Sequence, residues 1–242
     1  MTSPSLLLIQ TGTPPADIRS SHGDFPLWFR RVLGSESETM RVVRVFEGEA
    51  LPRPQSNQIA VITGSWSMVT DRLAWSEATA QWIREAMTVG VSMFGVCYGH
   101  QLMAHALGGR VDYHPRGREV GCQRIRLSSE AANDALLAGS PQTFEAHLMH
   151  EQSIVKLPPH AQVLASSAHD AYQIVRYGPN AVSTQFHPEF TPGITEACIR
   201  RRADALSEEG LNVDELIGNL RDTQEARDLL TRFVESAALR GS

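Results

Sequence analysis

Apolar residues in the first half of this chain fall into two alternating rhythms. Near-continuous runs occupy residues 5–10, 41–46, 58–63 and 91–96, and the third and fourth have the unbroken hydrophobicity of strands covered on both faces. Between those two, Trp75, Ala78, Thr79, Trp82, Ile83 and Ala86 recur at helical spacing within 71–89, which predicts an amphipathic helix whose tryptophans join the core. Strands and helices taking turns in this way predict an α/β fold built on a doubly wound, mostly parallel sheet.

After Gly109 the rhythm shortens. Residues 123–127, 142–149, 163–166, 171–177 and 181–186 read as short strands separated by turns, and they are expected to extend the sheet with antiparallel strands and a flap. The tail is helical. Arg200, Arg201 and Arg202 fall within one helix, where a run of like charge predicts a solvated face. Asp222-Thr223-Gln224-Glu225 has the form of a capping box ahead of Ala226, Leu229, Leu230, Phe233, Val234 and Ala237 on one helix face. With no repeat or linker along the way, a single domain is expected over 1–242, with its core at 5–190 and a helical extension at 191–242.

One junction in this pattern carries chemistry. The run Val91, Met93, Phe94 and Val96 ends at Gly95-Val96-Cys97-Tyr98-Gly99-His100-Gln101, and a helical stretch follows as far as Gly108-Gly109. A cysteine between glycines on a strand-to-helix turn reads as a nucleophile elbow, where the backbones crowd so closely that only glycine fits on either side. The helix N-terminus also favours a thiolate there. Downstream stands Thr184-Gln185-Phe186-His187-Pro188-Glu189-Phe190. Pro188 blocks a helix, and on an extended segment Glu189 would lie on the same side as His187 and orient its ring. The result is a Cys97, His187, Glu189 triad in that chain order.

The pairing of Gly95-x-Cys97-x-Gly99-x-Gln101 with Gln185-x-His187-Pro188-Glu189 resembles the class I (triad) glutamine amidotransferase family, over roughly residues 5–190. The likeness is greatest to free-standing proteins related to the amidotransferase domain of GMP synthase. It implies a flavodoxin-like three-layer α/β fold, and it makes the turn after Ile59-Ala60-Val61-Ile62-Thr63, at Gly64-Ser65, part of an oxyanion hole. The backbone N–H groups of Gly64 and Tyr98 are then the predicted donors to the developing oxyanion. Gln101 matches the family's substrate-binding glutamine. Leu148-Met149-His150-Glu151-Gln152 matches the loop for the substrate's amino-acid end, which makes His150, Glu151 and Gln152 candidate contacts, although Glu151 stands where the family often has glycine. Glu119 falls in another segment near the family's site. Gln10-Thr11-Gly12 and His22-Gly23-Asp24-Phe25-Pro26 also resemble the stand-alone members, with no chemistry attached.

Composition narrows the alternatives. The formal charge of −5 gives no basic footprint for nucleic acid. Leu6-Leu7-Leu8-Ile9 is too short for a signal peptide or membrane span and lacks a basic segment before it, so a cytoplasmic protein is expected. Three cysteines without paired spacing, Cys97, Cys122 and Cys198, suit a reducing compartment, and the latter two read as inert. Lys156 is the only lysine and follows no phosphate loop, which argues against nucleotide and pyridoxal chemistry. The scattered histidines suggest no metal. No cofactor is expected.

The expected function is therefore an enzyme that hydrolyses the side-chain amide of glutamine, or of a γ-glutamyl compound, to glutamate and ammonia through a Cys97 thioester. If it is a true amidotransferase, it would hand ammonia to a separate synthetase subunit, since a second full catalytic domain would not fit in the chain. The rival is a self-sufficient γ-glutamyl hydrolase or peptidase. A non-catalytic binding module on the same fold is the remote third.

Overall fold

The computed structural model describes residues 5–241. The apolar runs become β1 (Ser5–Gln10), β2 (Arg41–Arg44), β3 (Gln58–Ile62) and β4 (Ser92–Val96), and β11 (Ala181–Thr184) joins them as the fifth parallel strand. Beyond it the sheet continues antiparallel through β10 (Ile174–Gly178), β9 (Gln162–Ser166), β6 (Glu119–Leu127) and β7 (Thr143–His150). The full order is β2-β1-β3-β4-β11-β10-β9-β6-β7. A separate two-stranded sheet pairs β5 (Arg110–Tyr113) with β8 (Gln152–Lys156), the latter following the candidate substrate loop directly.

Continuous hydrophobicity in the central strands has a physical reason, because successive residues feed two different cores. Leu6, Leu8, Val61 and Phe94 pack with α2 (Phe25–Leu33) and α8 (Gln224–Gly241) on one face. Leu7, Ile9, Ala60, Ile62 and Met93 pack with α3 (Ala74–Val89) and α4 (Tyr98–Ala106) on the other. Fully burying each such side chain contributes about 1.5–3 kcal/mol. The expected three-layer α/β architecture is what forms. The remaining helices are α1 (Ala16–His22), α5 (Pro192–Arg201), α6 (Ala203–Glu208) and α7 (Val213–Gly218).

Several local expectations shift. The second strand stops at Arg44, because Val45–Glu47 turns into a short 3-10 helix. The helix expected from residue 71 starts at Ala74, since Arg72 takes a left-handed conformation (φ 52°) after the 3-10 turn Val69–Asp71. No capping box forms at 222–225. The helix begins at Gln224, so its third residue is the apolar Ala226, while Asp222 pairs with Arg227 and Glu225 accepts from Ser140 Oγ (2.7 Å) and Arg232 (2.7 Å). Among the described residues no helix is long and apolar enough to cross a membrane.

Candidate active site

Parallel α/β sheets place their sites beyond the carboxyl ends of the strands, and here the ends of β1, β3, β4 and β11 converge. Cys97 follows β4 and immediately precedes α4 with φ 50° and ψ −97°, a strained conformation for a residue with a side chain. Its N–H donates to the Thr184 carbonyl (2.9 Å) and its carbonyl accepts from Gln101 N (3.0 Å). The flanking glycines are obligatory. A Cβ on Gly95 would stand 2.7 Å from the Gly99 backbone, and one on Gly99 would collide with the Ile62 carbonyl. The strand, turn and helix are thus pressed together until the cysteine projects out of them.

His187 donates its backbone N–H to the His147 carbonyl (2.9 Å), and its ring stacks on Phe190 with centroids 3.9 Å apart. Nδ1 lies 2.8 Å from Glu189 Oε1, which leaves Nε2 for the Cys97 sulfur. The segment is not extended as expected. Phe190 N donates to the His187 carbonyl (3.4 Å), so Pro188 and Glu189 form a turn, and it is this turn that folds the carboxylate back to the imidazole. Burial works against the charged ring, but the Glu189 carboxylate and the Cys97 sulfur outweigh it and lift the His187 pKa to about 10. The ring therefore holds its proton beside the sulfur.

Opposite the triad, the turn after β3 is locked from below. The Thr11 hydroxyl shares its one proton between the Thr63 (3.0 Å) and Gly64 (2.8 Å) carbonyls, Gly99 N donates to the Thr63 carbonyl (3.1 Å), and Ser65 Oγ donates to the Thr11 carbonyl (2.8 Å). These bonds fix the Thr63–Gly64 peptide plane and hence the direction of the Gly64 N–H. A Cβ at Gly64 would stand 3.0 Å from His187 Cε1 and 3.8 Å from Cys97 Cβ, so this turn faces the triad directly. Tyr98 is the first residue of α4, where the helix offers its N–H no acceptor. Both residues adjoin Cys97, Tyr98 along the chain and Gly64 across the turn.

The cleft above Cys97 is lined by the apolar or aromatic Phe25, Trp66, Met68, Met149 and Phe190 and by the polar or charged Gln101, Arg118, His150, Glu151, Gln152 and Arg202. Gln101 spends both amide protons, on the Gln152 carbonyl (2.5 Å) and Gln185 Oε1 (3.0 Å), which leaves its carbonyl oxygen to offer a ligand. Gln152 Nε2 donates to Thr70 Oγ1 (2.5 Å), while its Oε1 is buried without a hydrogen-bond partner. Glu151 Oε1 is paired with Arg118 (2.9 Å), which also holds Glu209 (2.7 Å). His150 is clamped between the Gln152 carbonyl (3.0 Å) and the buried Glu119 (2.9 Å).

The family model described as glutamine amidotransferase class-I matches residues 45–203. The chain belongs to that family. Among its relatives, gamma-glutamyl peptidase 4 of Arabidopsis thaliana is 26% identical over 195 residues, covering 77% of this chain and 76% of the peptidase. A GMP synthase of Thermomicrobium roseum is 38% identical over 108 residues, 45% of this chain but only 19% of the synthase. A solved glutamine amidotransferase of Thermotoga maritima shares the fold with a TM-score of 0.78, at 20% identity, over 98% of this chain and 99% of that one.

Several residues that build this amidotransferase-family site had no chemistry assigned from sequence. Gln10 Nε2 donates to the Gly12 carbonyl (2.8 Å) and to Asp24 (3.1 Å), and Asp24 in turn N-caps α2 and delivers Phe25 to the cleft. The readable signal was Asp24-Phe25-Pro26, a cap followed by proline in the first turn. Glu119 gains a definite place: its carboxylate, 4% exposed, accepts from His150, Gln173 Nε2 (2.7 Å) and Ser167 Oγ (2.5 Å) behind the substrate loop. Burial pushes the thiol pKa of Cys122 up to about 11, with Glu145 adding to it, and that of Cys198 up to about 12, so both stay protonated thiols near neutral pH. Among the described residues no cluster of three or more His, Cys, Asp or Glu side chains is arranged to hold a metal ion.

Proposed function

We propose that this protein hydrolyses the side-chain amide of a γ-glutamyl compound, with Cys97 as nucleophile. The sulfur adds to the amide carbonyl carbon, and the Gly64 and Tyr98 amides hold the oxygen as its charge develops. The carbon–nitrogen bond breaks as His187 gives its proton to the departing amine, leaving a γ-glutamyl thioester. Water then attacks, His187 takes its proton, and the carbon–sulfur bond breaks to release glutamate and restore the thiolate–imidazolium pair. Glu189 holds the ring without handling the proton. Gln101 on α4 and Glu151 and Gln152 on the loop contact the γ-glutamyl group, and His150 braces that loop.

The observation that carries this reading is the strained Cys97 at the head of α4, with His187 fixed by Glu189 on its other nitrogen. Glutamine is the simplest substrate, and its ammonia would then pass to a separate synthetase subunit, as the likeness to GMP synthases suggests. A second reading takes the same steps on a γ-glutamyl peptide or larger amide and needs no partner. The likeness to a γ-glutamyl peptidase along most of both chains supports it, as do the apolar cleft residues Phe25, Trp66 and Met68, which ammonia would not use. A free thiol nucleophile fits a cytoplasmic setting. The test is to incubate the purified chain with glutamine and a panel of γ-glutamyl amides and peptides, following amine and glutamate together. Turnover of none of them would refute the amide-hydrolysis reading, and preference for peptides over glutamine would select the partner-free version.

A further inference from the structure

The three arginines at the end of α5 do not share one fate. Arg200 pairs with Glu196 (2.7 Å) and Arg201 with Asp17 (2.7 Å), both at the surface, as a solvated face requires. Arg202 turns inward. It lines the active-site cleft beside Arg118 and Glu151, is only partly exposed, and has no side-chain hydrogen bond or ion pair among the described residues. Its neighbour Arg118 is satisfied twice over, by Glu151 and Glu209, so among the described residues Arg202 is the arginine of this cleft without an ion pair.

Its position is fixed by the backbone. The Arg202 N–H donates to the Ile199 carbonyl (3.0 Å), its own carbonyl accepts from Leu206 N (2.9 Å), and Ile199 and Leu206 are both wholly buried. The helix that ends here begins at the Thr191 cap, just after Glu189. A single rigid run of chain therefore connects the acid of the triad to this guanidinium. Burial and the nearby Arg118 lower its proton affinity more than Glu151 restores it, which is the environment of a cation waiting for an anion. A half-buried charge left unpaired is costly, and the planar fork of arginine matches a carboxylate.

We infer that Arg202 receives the α-carboxylate of the γ-glutamyl group while Glu151 beside it faces the α-ammonium, so that the cleft selects γ-glutamyl compounds with a free amino-acid end. This rests on the reading of the cleft as a γ-glutamyl site. The α-carbon of such a compound carries opposite charges on adjacent bonds, and Arg202 and Glu151 offer the complementary charges side by side. A carboxylate on the leaving amine would find Arg202 equally attractive, but it has no positive group to set against Glu151.

The experiment uses binding as well as turnover. In a Cys97→Ser background, L-glutamate, its α-carboxamide and glutarate are titrated calorimetrically against otherwise unaltered protein, Arg202→Gln and Arg202→Lys, each checked for an unchanged melting temperature. Arg202→Gln should weaken L-glutamate and glutarate at least tenfold and leave the α-carboxamide unchanged, with Arg202→Lys restoring part of the loss. In active enzyme, the same substitution should raise KM for γ-glutamyl-p-nitroanilide with kcat retained. Equal weakening of all three ligands, or no glutamate binding to the Cys97→Ser protein, overturns the proposal. A KM increase for γ-glutamylglycine that γ-glutamyl methylamide does not share also overturns it, by moving the contact to the leaving group. Clean discrimination in binding without turnover of any amide would instead sink the hydrolase reading and leave the carboxylate site standing.

Discussion

The two halves of this site are held by different forces. On the parallel side, Cys97, Gly64 and the residues around them are placed by backbone: glycine contacts, a positive φ, and peptide groups locked between β1 and β3. On the antiparallel side, His150 and Gln152 are placed by side chains, through a buried network that runs from Glu119 to Gln173, Ser167, Ser153 and Asp170. Backbone placement demands particular residue types at fixed spacing. Side-chain placement demands only that donors meet acceptors, which many sequences can arrange. One half is consequently rigid chemistry that tolerates no change, and the other is an adjustable wall on which substrate preference can be written.

The sharpest way to break that contrast is at the sulfur. Cys97→Ser should abolish turnover, by about 10⁴-fold or more, with no loss of folding, since serine nearly keeps the volume and is far less nucleophilic beside this base. A diazo-ketone analogue of glutamine should label Cys97 alone. Peptide mapping that placed the adduct on Cys122 or Cys198 would remove the assignment. His187→Ala should cost as much, Glu189→Gln less, and neither loss should add to that of Cys97→Ser, because the three act as one unit. Near-normal rates in His187→Ala would require another base.

This contrast also explains how far the sequence could be read. Gly95, Cys97 and Gly99 announce themselves because sterics leave no other residue for the glycine positions, and the unbroken runs at β3 and β4 announce a sheet covered on both faces. The Arg202 side chain could not be read in the same way. Whether a helix-end arginine faces water or a cleft depends on where α5 lies against β6 and β7, and no local pattern encodes that. The turn at Pro188 went unread because proline excludes a helix without choosing between strand and turn. Glu119 stood out in sequence only as lying near the family's site, and its meaning depends on strand pairing, in which Glu119 lies opposite His150 across β6 and β7.

The adjustable half should show its nature at Glu119. Replacing it by Gln leaves His150, Gln173 and Ser167 facing a weaker acceptor within a buried site, and breaking such a pair costs about 3 kcal/mol. The expected result is a lower melting temperature and a raised KM with kcat little changed. A fall in kcat at constant KM would mean that the network acts on the triad and not on the wall.

Histidines carry opposite signs that pH can separate. Burial drives His100 down to about 3 against the pull of Asp170, and burial reinforced by His187 drives His147 down to about 4, both from an ordinary 6.5. The unfolded chain binds protons that these rings refuse, so their share of stability is intact above about pH 6.5 and is lost as pH falls toward 4. His187 behaves inversely. Its share is full below about 6.5 and drains away as pH climbs to about 10. A melting-temperature profile should therefore fall on both sides of neutrality, and His187→Gln should flatten the alkaline limb alone. Flattening of the acid limb by that substitution would contradict the raised proton affinity of His187.

The smallest expected effect is at Glu151, where the sequence resemblance leads to an expectation of glycine. Its side chain is about a quarter exposed (26%) and already shares its charge with Arg118, so its pull on a ligand is screened on two counts. Glu151→Gly should accordingly raise KM only a few-fold, and only for substrates bearing an α-ammonium group. Arg118 keeps Glu209 as a partner in that variant, which limits any disturbance of the neighbouring guanidinium. Comparing γ-glutamyl-p-nitroanilide with the glutaric acid monoanilide, which lacks the α-amino group, isolates the contact. A change of the same size on both substrates would take Glu151 out of the binding site and leave it with one task, holding Arg118 against the wall.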